Sequence, residues 1–360
     1  MSSLDRRVKK MFPIFEINLE AIQDNAKRVV NFCKPHGIEV VGVTKGVCGD
    51  PKVAKSMING GVRILADSRI QNIKKMQEVG INAEFMLIRG PMLSEAREVV
   101  EFTDYSLNTE LETLKRLSRI AEEIGKIHKV IIMVDVGDRR EGLMPQELVP
   151  FLEKAKELKG IKIVGIGTNV GCFGGVQPTV ENQSLLVKLA EKAKKIIGDE
   201  PIISSGGTVV LKLLEKGELP KGINQLRIGT AILLGINDGV IPCLRQDTFT
   251  IKAEVIEVKK KPSLPEGPIG RDAFGHVPTF EDKGVRRRAI LAIGRQDVEI
   301  EELTPLEEGI EVLGGSSDHT ILDVEEAPSI KVGDVLSFRP NYVAMLRAMT
   351  SEYMEKKYLE

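Results

Sequence analysis

The 360-residue chain contains no tryptophan, four cysteines and four histidines, and each scarcity removes a class of function. Cys33, Cys48, Cys172 and Cys243 are scattered without a C-x-x-C pair, too few and too dispersed for a disulfide framework or a thiolate metal site. Reduced thiols, a cytoplasmic location and no bound metal are expected. A net charge of −1, from 51 basic and 52 acidic residues, leaves no broad basic surface for nucleic acid or anionic lipid. Nowhere does an apolar run reach the ~18 residues of a membrane span, and the N-terminal MSSLDRRVKKMFPIF has no apolar core of signal-peptide length. Internal repeats and low-complexity segments are absent too. What remains is the profile of an enzyme acting on a small molecule, with 42% hydrophobic residues to fill two cores.

Short β-branched runs alternate with helical patterns. The runs fall at 38–44, 63–66, 84–88, 104–107, 130–134, 163–167, 201–204 and 225–228, and helix-like stretches such as 94–102, 109–124, 146–158 and 179–197 lie between them. Eight strands with eight crossovers predict a (β/α)8 barrel over residues 12–236; a doubly wound open sheet would need fewer strands. After Ile236 the texture changes to TFTIKAEVIEVKKK, RRRAILAIGR, GIEVLGG, HTILDV and DVLSF, separated by Gly, Pro and Asp turns without long helices. This predicts a smaller all-β domain over 237–345, followed by a tail over 346–360 that is helical or irregular. The run Arg286–Arg288 is expected to be a solvated strand edge rather than a phosphate site.

In such a barrel the chemistry collects where strands end, and these exits are polar. Lys45 follows the first apolar run and precedes a glycine, a rim position where desolvation and nearby cations could free its amine to attack an aldehyde. The structural alternative pairs Lys45 with a carboxylate such as Asp67. The seventh run exits through Ser205, Gly206, Gly207 and Thr208, and the eighth through Arg227, Gly229 and Thr230. Glycines let backbone N–H groups face a ligand and hydroxyls add donors, so the two loops form a candidate phosphate cradle opposite Lys45. Arg227 either pairs with a buried carboxylate or points into the barrel mouth. There, beside a pyridine nitrogen, a guanidinium would donate a hydrogen bond and leave the nitrogen unprotonated.

The motifs E-I-N-L-E-A-I, V-T-K-G, A-D-S-R-I-Q-N, D-V-G-D-R-R-E-G, G-I-G-T-N, S-S-G-G-T, L-R-I-G-T-A-I-L-L-G, A-I-G-R-Q-D-V, S-S-D-H-T-I-L-D-V and F-R-P-N-Y-V-A-M-L-R-A-M-T-S-E-Y follow one another along most of the chain. Together they resemble the fold-type III pyridoxal-phosphate enzymes of the alanine racemase group, most closely the ornithine racemase branch. The resemblance implies pyridoxal 5'-phosphate held by Lys45 as a Schiff base, with Lys45 also one of two acid/base groups. It implies that Arg140 contacts the cofactor's phenolic oxygen and the substrate carboxylate, that Arg227 meets the ring nitrogen, and that Tyr342 joins the phosphate cradle. It also implies a homodimer with shared active sites.

Departures from the alanine racemase pattern shape the rest. Asn169 stands where that group carries a histidine near the cofactor, Met133 where it carries a modified lysine, and Arg295 where it carries a catalytic tyrosine. Glu141 is then the candidate to orient Arg140, and Arg295, always protonated, cannot be the second base. The segment S-S-D-H offers Asp318 and His319 instead, with histidine the usual exchanger at neutral pH. Arg295 and Ser317 would line a pocket wider than alanine requires. A substrate with a terminal cation, ornithine first and lysine next, would need a carboxylate there: Asp297, Asp318 or Glu141, one of them held by Arg295. The competing functions are a non-catalytic cofactor-homeostasis protein, which resembles the barrel alone, a diamino-acid decarboxylase, which Arg227 in place of an acidic partner disfavours, and a lysine-dependent aldolase, which needs no phosphate cradle.

Overall fold

The computed structural model describes residues 12–198 and 200–360, so most of the N-terminal stretch inspected for a signal sequence lies outside the described residues. Strands β1 (Ile14–Asn18), β2 (Glu39–Val43), β3 (Ile64–Asp67), β4 (Glu84–Leu87), β5 (Tyr105–Asn108), β6 (His128–Met133), β7 (Ile161–Gly167), β8 (Ile202–Ser205) and β9 (Gln225–Ile228) open the chain. They are followed by β10 (Phe249–Pro262), β11 (Val285–Leu291), β12 (Leu303–Pro305), β13 (Glu311–Gly315), β14 (Thr320–Asp323), β15 (Val335–Pro340) and β16 (Glu355–Leu359).

Strands β2 to β9 form a closed parallel barrel. Closure is made by β2 against β9, with Val41 beside Arg227 and Gly42 beside Ile228, which rules out the open sheet. The expected (β/α)8 barrel is the observed one, each of its strands within two residues of the apolar run that announced it. Its interior is packed with Val41, Val43, Ile64, Ala66, Met86, Leu107, Ile131 and Met133, β-branched and long aliphatic chains that fill the pleat from alternate positions. The helices outside are set by local chemistry. The helix Val180–Ile197 starts where Thr179 and Asn182 cap each other reciprocally and stops at Gly198 in the left-handed region, φ +82°, so the two ends are fixed by side-chain capping and by glycine. Among the described residues no helix is long and apolar enough to cross a membrane.

The second compact unit is a β-sheet with strand order β12-β15-β10-β11-β14-β13, joined by β1 on β10 and β16 on β1. It is antiparallel except for β1 and β16, which run parallel. The chain divides into Leu19–Gln246 for the barrel and the N-terminal segment through Asn18 with Asp247–Glu360 for the sheet, rather than at 12–236 and 237–345. The physical reason is β1: its Phe15 is fully buried and stacks on Phe249 at 5.3 Å, so the first strand belongs to the sheet although it precedes the barrel. Likewise 346–360 is no loose tail, because a helix (Tyr342–Thr350) runs into it and β16 closes on β1. The three arginines of β11 are structural: Arg286 pairs with Asp323 at 2.8 Å, Arg287 donates to the Ala327 and Ile330 carbonyls, and Arg288 to the Ser263 carbonyl.

His128, at the start of β6, is buried with Nε2 2.8 Å from the Ser106 hydroxyl. Burial, assisted by nearby Lys126, pushes its imidazole down to about 4. The folded value lies below the unfolded one near 6.5, so this stabilisation is fully present above pH 6.5 and is lost as pH falls towards 4. Urea unfolding of the parent should lose about 3 kcal/mol more than His128→Gln over that window; identical pH profiles would show that His128 is protonated at no cost.

Candidate active site

Strand β2 ends at Val43, and after buried Thr44 the chain turns at once through Lys45–Val47, which leaves Lys45 exposed at the rim. Lys45 makes no side-chain hydrogen bond or ion pair among the described residues. Asp67, the carboxylate weighed as its structural partner, is fully buried and engaged elsewhere. It accepts from the Thr44 hydroxyl at 2.8 Å, the Arg69 N–H at 3.0 Å and the Asn72 amide at 2.9 Å. Burial pushes its carboxyl above the usual range against the pull of these donors. Asp67 therefore ties β2, β3 and the following helix together and leaves the lysine amine available.

Arg227 is the reverse case, a charge buried without a counter-charge. The residue is 7% exposed, and its guanidinium donates to the Ser204 carbonyl at 3.2 Å, the Ser204 hydroxyl at 2.5 Å and the Thr168 carbonyl at 2.6 Å. All three acceptors are neutral and come from the ends of β7 and β8. Burial lowers its pKa to about 10, with the positive Arg140 acting in the same direction and Glu141 opposing.

The loop after β6 carries Arg140. Asp135 accepts from the N–H groups of Gly137 at 2.7 Å and Arg139 at 3.3 Å and pairs with the Arg139 guanidinium at 3.4 Å, so Arg139 is drawn back onto its own loop. Arg139 itself sits in the left-handed region, φ +57°, and the chain regains the barrel at Gly142. There φ is +128° and a Cβ would lie 2.5 Å from the Asp135 nitrogen. The Arg140 guanidinium is gripped by the Glu141 carboxylate through Nε and Nη2, and by Cys172 through Nη1. The Asn169 amide lies against the same group and fits only with its oxygen towards Nη1 and Nη2, because its nitrogen would set donor against donor. Glu141 thus holds Arg140 where buried Met133 offers no charge.

Closure places β9 between β2 and β8, so the two donor-rich loops follow one another on the side of the rim next to Lys45 instead of facing it across the mouth. A Cβ on Gly207 would meet the Arg227 carbonyl at 3.2 Å, a tight contact, and the Thr208 hydroxyl accepts from the Ala231 N–H at 3.2 Å, linking this loop to the Gly229–Thr230 turn. Gly206 accepts from the Arg227 N–H. Ser205 faces the other way: its hydroxyl donates to Gln183 on the helix side at 2.6 Å. Side chains alternate along a strand, so with Ile202 packed on the barrel interior it is Ser204 that turns inward to Arg227. Ser204 and Thr168 were missed among the candidates, although counting that alternation back from the strand end would have found Ser204. Buried Asn108, at the end of β5, keeps its Oδ1 without a donor among the described residues; no motif marked it.

The remaining candidates belong to the sheet unit. Asp318 and His319 are exposed and line one cleft of about 380 Å³ with Asp297 and Tyr353. Asp318 accepts from the Ser317 hydroxyl at 2.8 Å, and the His319 Nδ1 lies 3.4 Å from the Ser316 hydroxyl. Asp297 is buried and accepts from Ser351 at 2.6 Å. Arg295 holds none of the three carboxylates proposed for it. It pairs with Glu299 at 3.2 Å and with Glu301, and lies over the Phe274 ring at 5.1 Å; acids four and six residues on reach it more easily than those across the sheet. Tyr342 opens its helix just after Asn341, whose side chain caps Val343 at 3.1 Å.

A family model described as alanine racemase, N-terminal domain, matches residues 17–237. The chain is 46% identical to a lysine racemase of Thermotoga maritima, over 97% of this chain and 99% of that one. It is 43% identical to an ornithine racemase of Acetoanaerobium sticklandii, over 97% and 100%. In fold it is similar to the crystal structure of an alanine racemase from Bartonella henselae with covalently bound pyridoxal phosphate, with a TM-score of 0.73, 16% identity and coverage of 97% and 100%.

Gly142→Ala tests how the Arg140 loop is built. A methyl group at that backbone angle and that distance from Asp135 should cost about 2 kcal/mol or more in urea unfolding; a loss below about 0.5 kcal/mol would mean that the loop bends freely there.

Proposed function

Because the chain belongs to the alanine racemase family, we propose that it is a pyridoxal-phosphate-dependent isomerase interconverting L and D forms of basic amino acids, ornithine first and lysine next. The observation that carries this is Arg227. A buried guanidinium among neutral oxygens calls for one more electron-rich acceptor, and the unprotonated ring nitrogen of the cofactor supplies one without bringing a charge. Lys45, exposed in the turn that follows the adjoining strand β2, fits the covalent attachment. Gly207, Thr208, Gly229 and Thr230 offer backbone N–H groups and hydroxyls to a phosphate.

When bound, the cofactor supplies the electron sink that acidifies the Cα proton of an amino acid. The protein's residues do the rest. Arg140 orients the substrate through its α-carboxylate. Lys45 exchanges the proton on one face of Cα, and Asp318 or His319 exchanges it on the other, contributed by a second copy of the chain in a homodimer. Their exposure supports this arrangement, because an exchanger brought from another subunit must stand at a surface. Arg227, if it met the ring nitrogen, would weaken the sink, which would suit a proton exchange and disfavour decarboxylation. The strand-rich second unit, outside the barrel, sets the chain apart from single-barrel cofactor-homeostasis proteins.

The experiment runs in two stages. The purified protein should absorb in the visible range, and borohydride reduction with peptide mapping should place the label on Lys45; a colourless protein that cannot be reconstituted, or a label on another lysine, overturns the cofactor assignment. Loss of optical rotation should then be at least about tenfold more efficient with L-ornithine or L-lysine than with neutral L-norvaline, whereas a preference for L-alanine overturns the substrate class.

A further inference from the structure

The Arg140 guanidinium has five N–H donors, and all five are taken. Glu141 accepts from Nε and Nη2, Cys172 from Nη1, and the Asn169 oxygen from the remaining Nη1 and Nη2 hydrogens. A group saturated in this way cannot receive a substrate carboxylate by simple addition; one acceptor must leave. Among the three, Glu141 alone has the charge and the two-oxygen fork of the incoming group. It is also the immediate chain neighbour of Arg140, so it can release without unfolding the loop.

We propose that the substrate α-carboxylate replaces the Glu141 carboxylate on Arg140, and that the displaced Glu141 then pairs with the terminal ammonium of a basic amino acid. This rests on the basic-amino-acid function argued above and names the residue that selects for it. Charge conservation at the mouth supplies the reason. Arg140 and Arg227 are guanidinium cations near the end of the barrel strands, and Glu141 is the anion that acts on both. Exchanging carboxylate for carboxylate keeps Arg140 neutralised but strands Glu141, which is two-thirds covered by protein, and a partly buried anion without a partner is costly. Ornithine and lysine bring a cation that satisfies it. A neutral side chain of the same length brings none, so the neutral ligand carries the full penalty of breaking the Arg140–Glu141 pair.

The test uses ligands that cannot turn over. α-Methyl-L-ornithine and α-methyl-L-norvaline lack the Cα proton, and their dissociation constants can be measured by calorimetry on the full-length, cofactor-loaded protein. The parent should bind the ornithine analogue at least about tenfold more tightly. In Glu141→Gln that ratio should collapse to within about threefold, with the norvaline analogue binding as well as before or better and the ornithine analogue more weakly. Cys172→Ala removes one acceptor from the same guanidinium without removing a charge, and it should keep the parent ratio. If Glu141→Gln weakens both ligands alike and keeps the ratio, Glu141 only orients Arg140 and the exchange is wrong while the substrate class stands. If Cys172→Ala also abolishes the ratio, selectivity reflects the order of the loop and not the Glu141 charge. A parent that binds both analogues equally overturns the substrate class and the exchange together.

Discussion

A guanidinium buried at the end of β9 with no carboxylate beside it is the constraint around which the barrel mouth is organised. Leaving such a cation in a protein interior is unfavourable unless its donors are met, and here three of the five are met by backbone and hydroxyl oxygens from the ends of the two preceding strands. That requirement matches the inward turn of Ser204, whose hydroxyl and carbonyl both accept from the guanidinium. It also binds the ends of β7, β8 and β9 into one unit. The loops that follow inherit their positions from it.

The second cation of the mouth is managed differently. Arg140 stands on a loop and is matched in full by Glu141, Cys172 and Asn169. Arg227 is thus held by neutral groups, and Arg140 by a carboxylate as well as two neutral groups. On the proposed reading this contrast would give each arginine a distinct part, one beside a bound ring and the other receiving a carboxylate. Asp67, the carboxylate weighed as a partner for Lys45, is buried and engaged by Thr44, Arg69 and Asn72 instead.

Much of this was legible in the sequence, for physical reasons. Parallel strands buried on both faces read as apolar runs, so all eight barrel strands stood out, and polar residues at their exits marked Lys45, Arg140 and Arg227. Where the reading failed, the information was not local. Strand β1 is five residues long and leads directly into a helix, and its place in the sheet depends on β10 and β16, more than two hundred residues away. Ser205 was preferred to Ser204 because spacing alone does not say which face of β8 turns inward. The partners of Arg295 were misjudged because Asp297, Asp318 and Glu141 were weighed for a substrate pocket, whereas the chain after Arg295 curls so that Glu299 and Glu301 reach it. The neutral surroundings of Arg227 could not be read at all, since they arise from carbonyl oxygens, which every residue has.

The most direct measurement is of the ring nitrogen that Arg227 is held to meet. The protein should be loaded with pyridoxal phosphate carrying 15N in its ring, and the nitrogen chemical shift recorded for the parent and for Arg227→Glu. An unprotonated, hydrogen-bonded nitrogen is expected in the parent, and a protonated one in the variant, where a carboxylate replaces the guanidinium. A protonated nitrogen in the parent would contradict the assignment of Arg227 and, with it, the electronic case for proton exchange over decarboxylation.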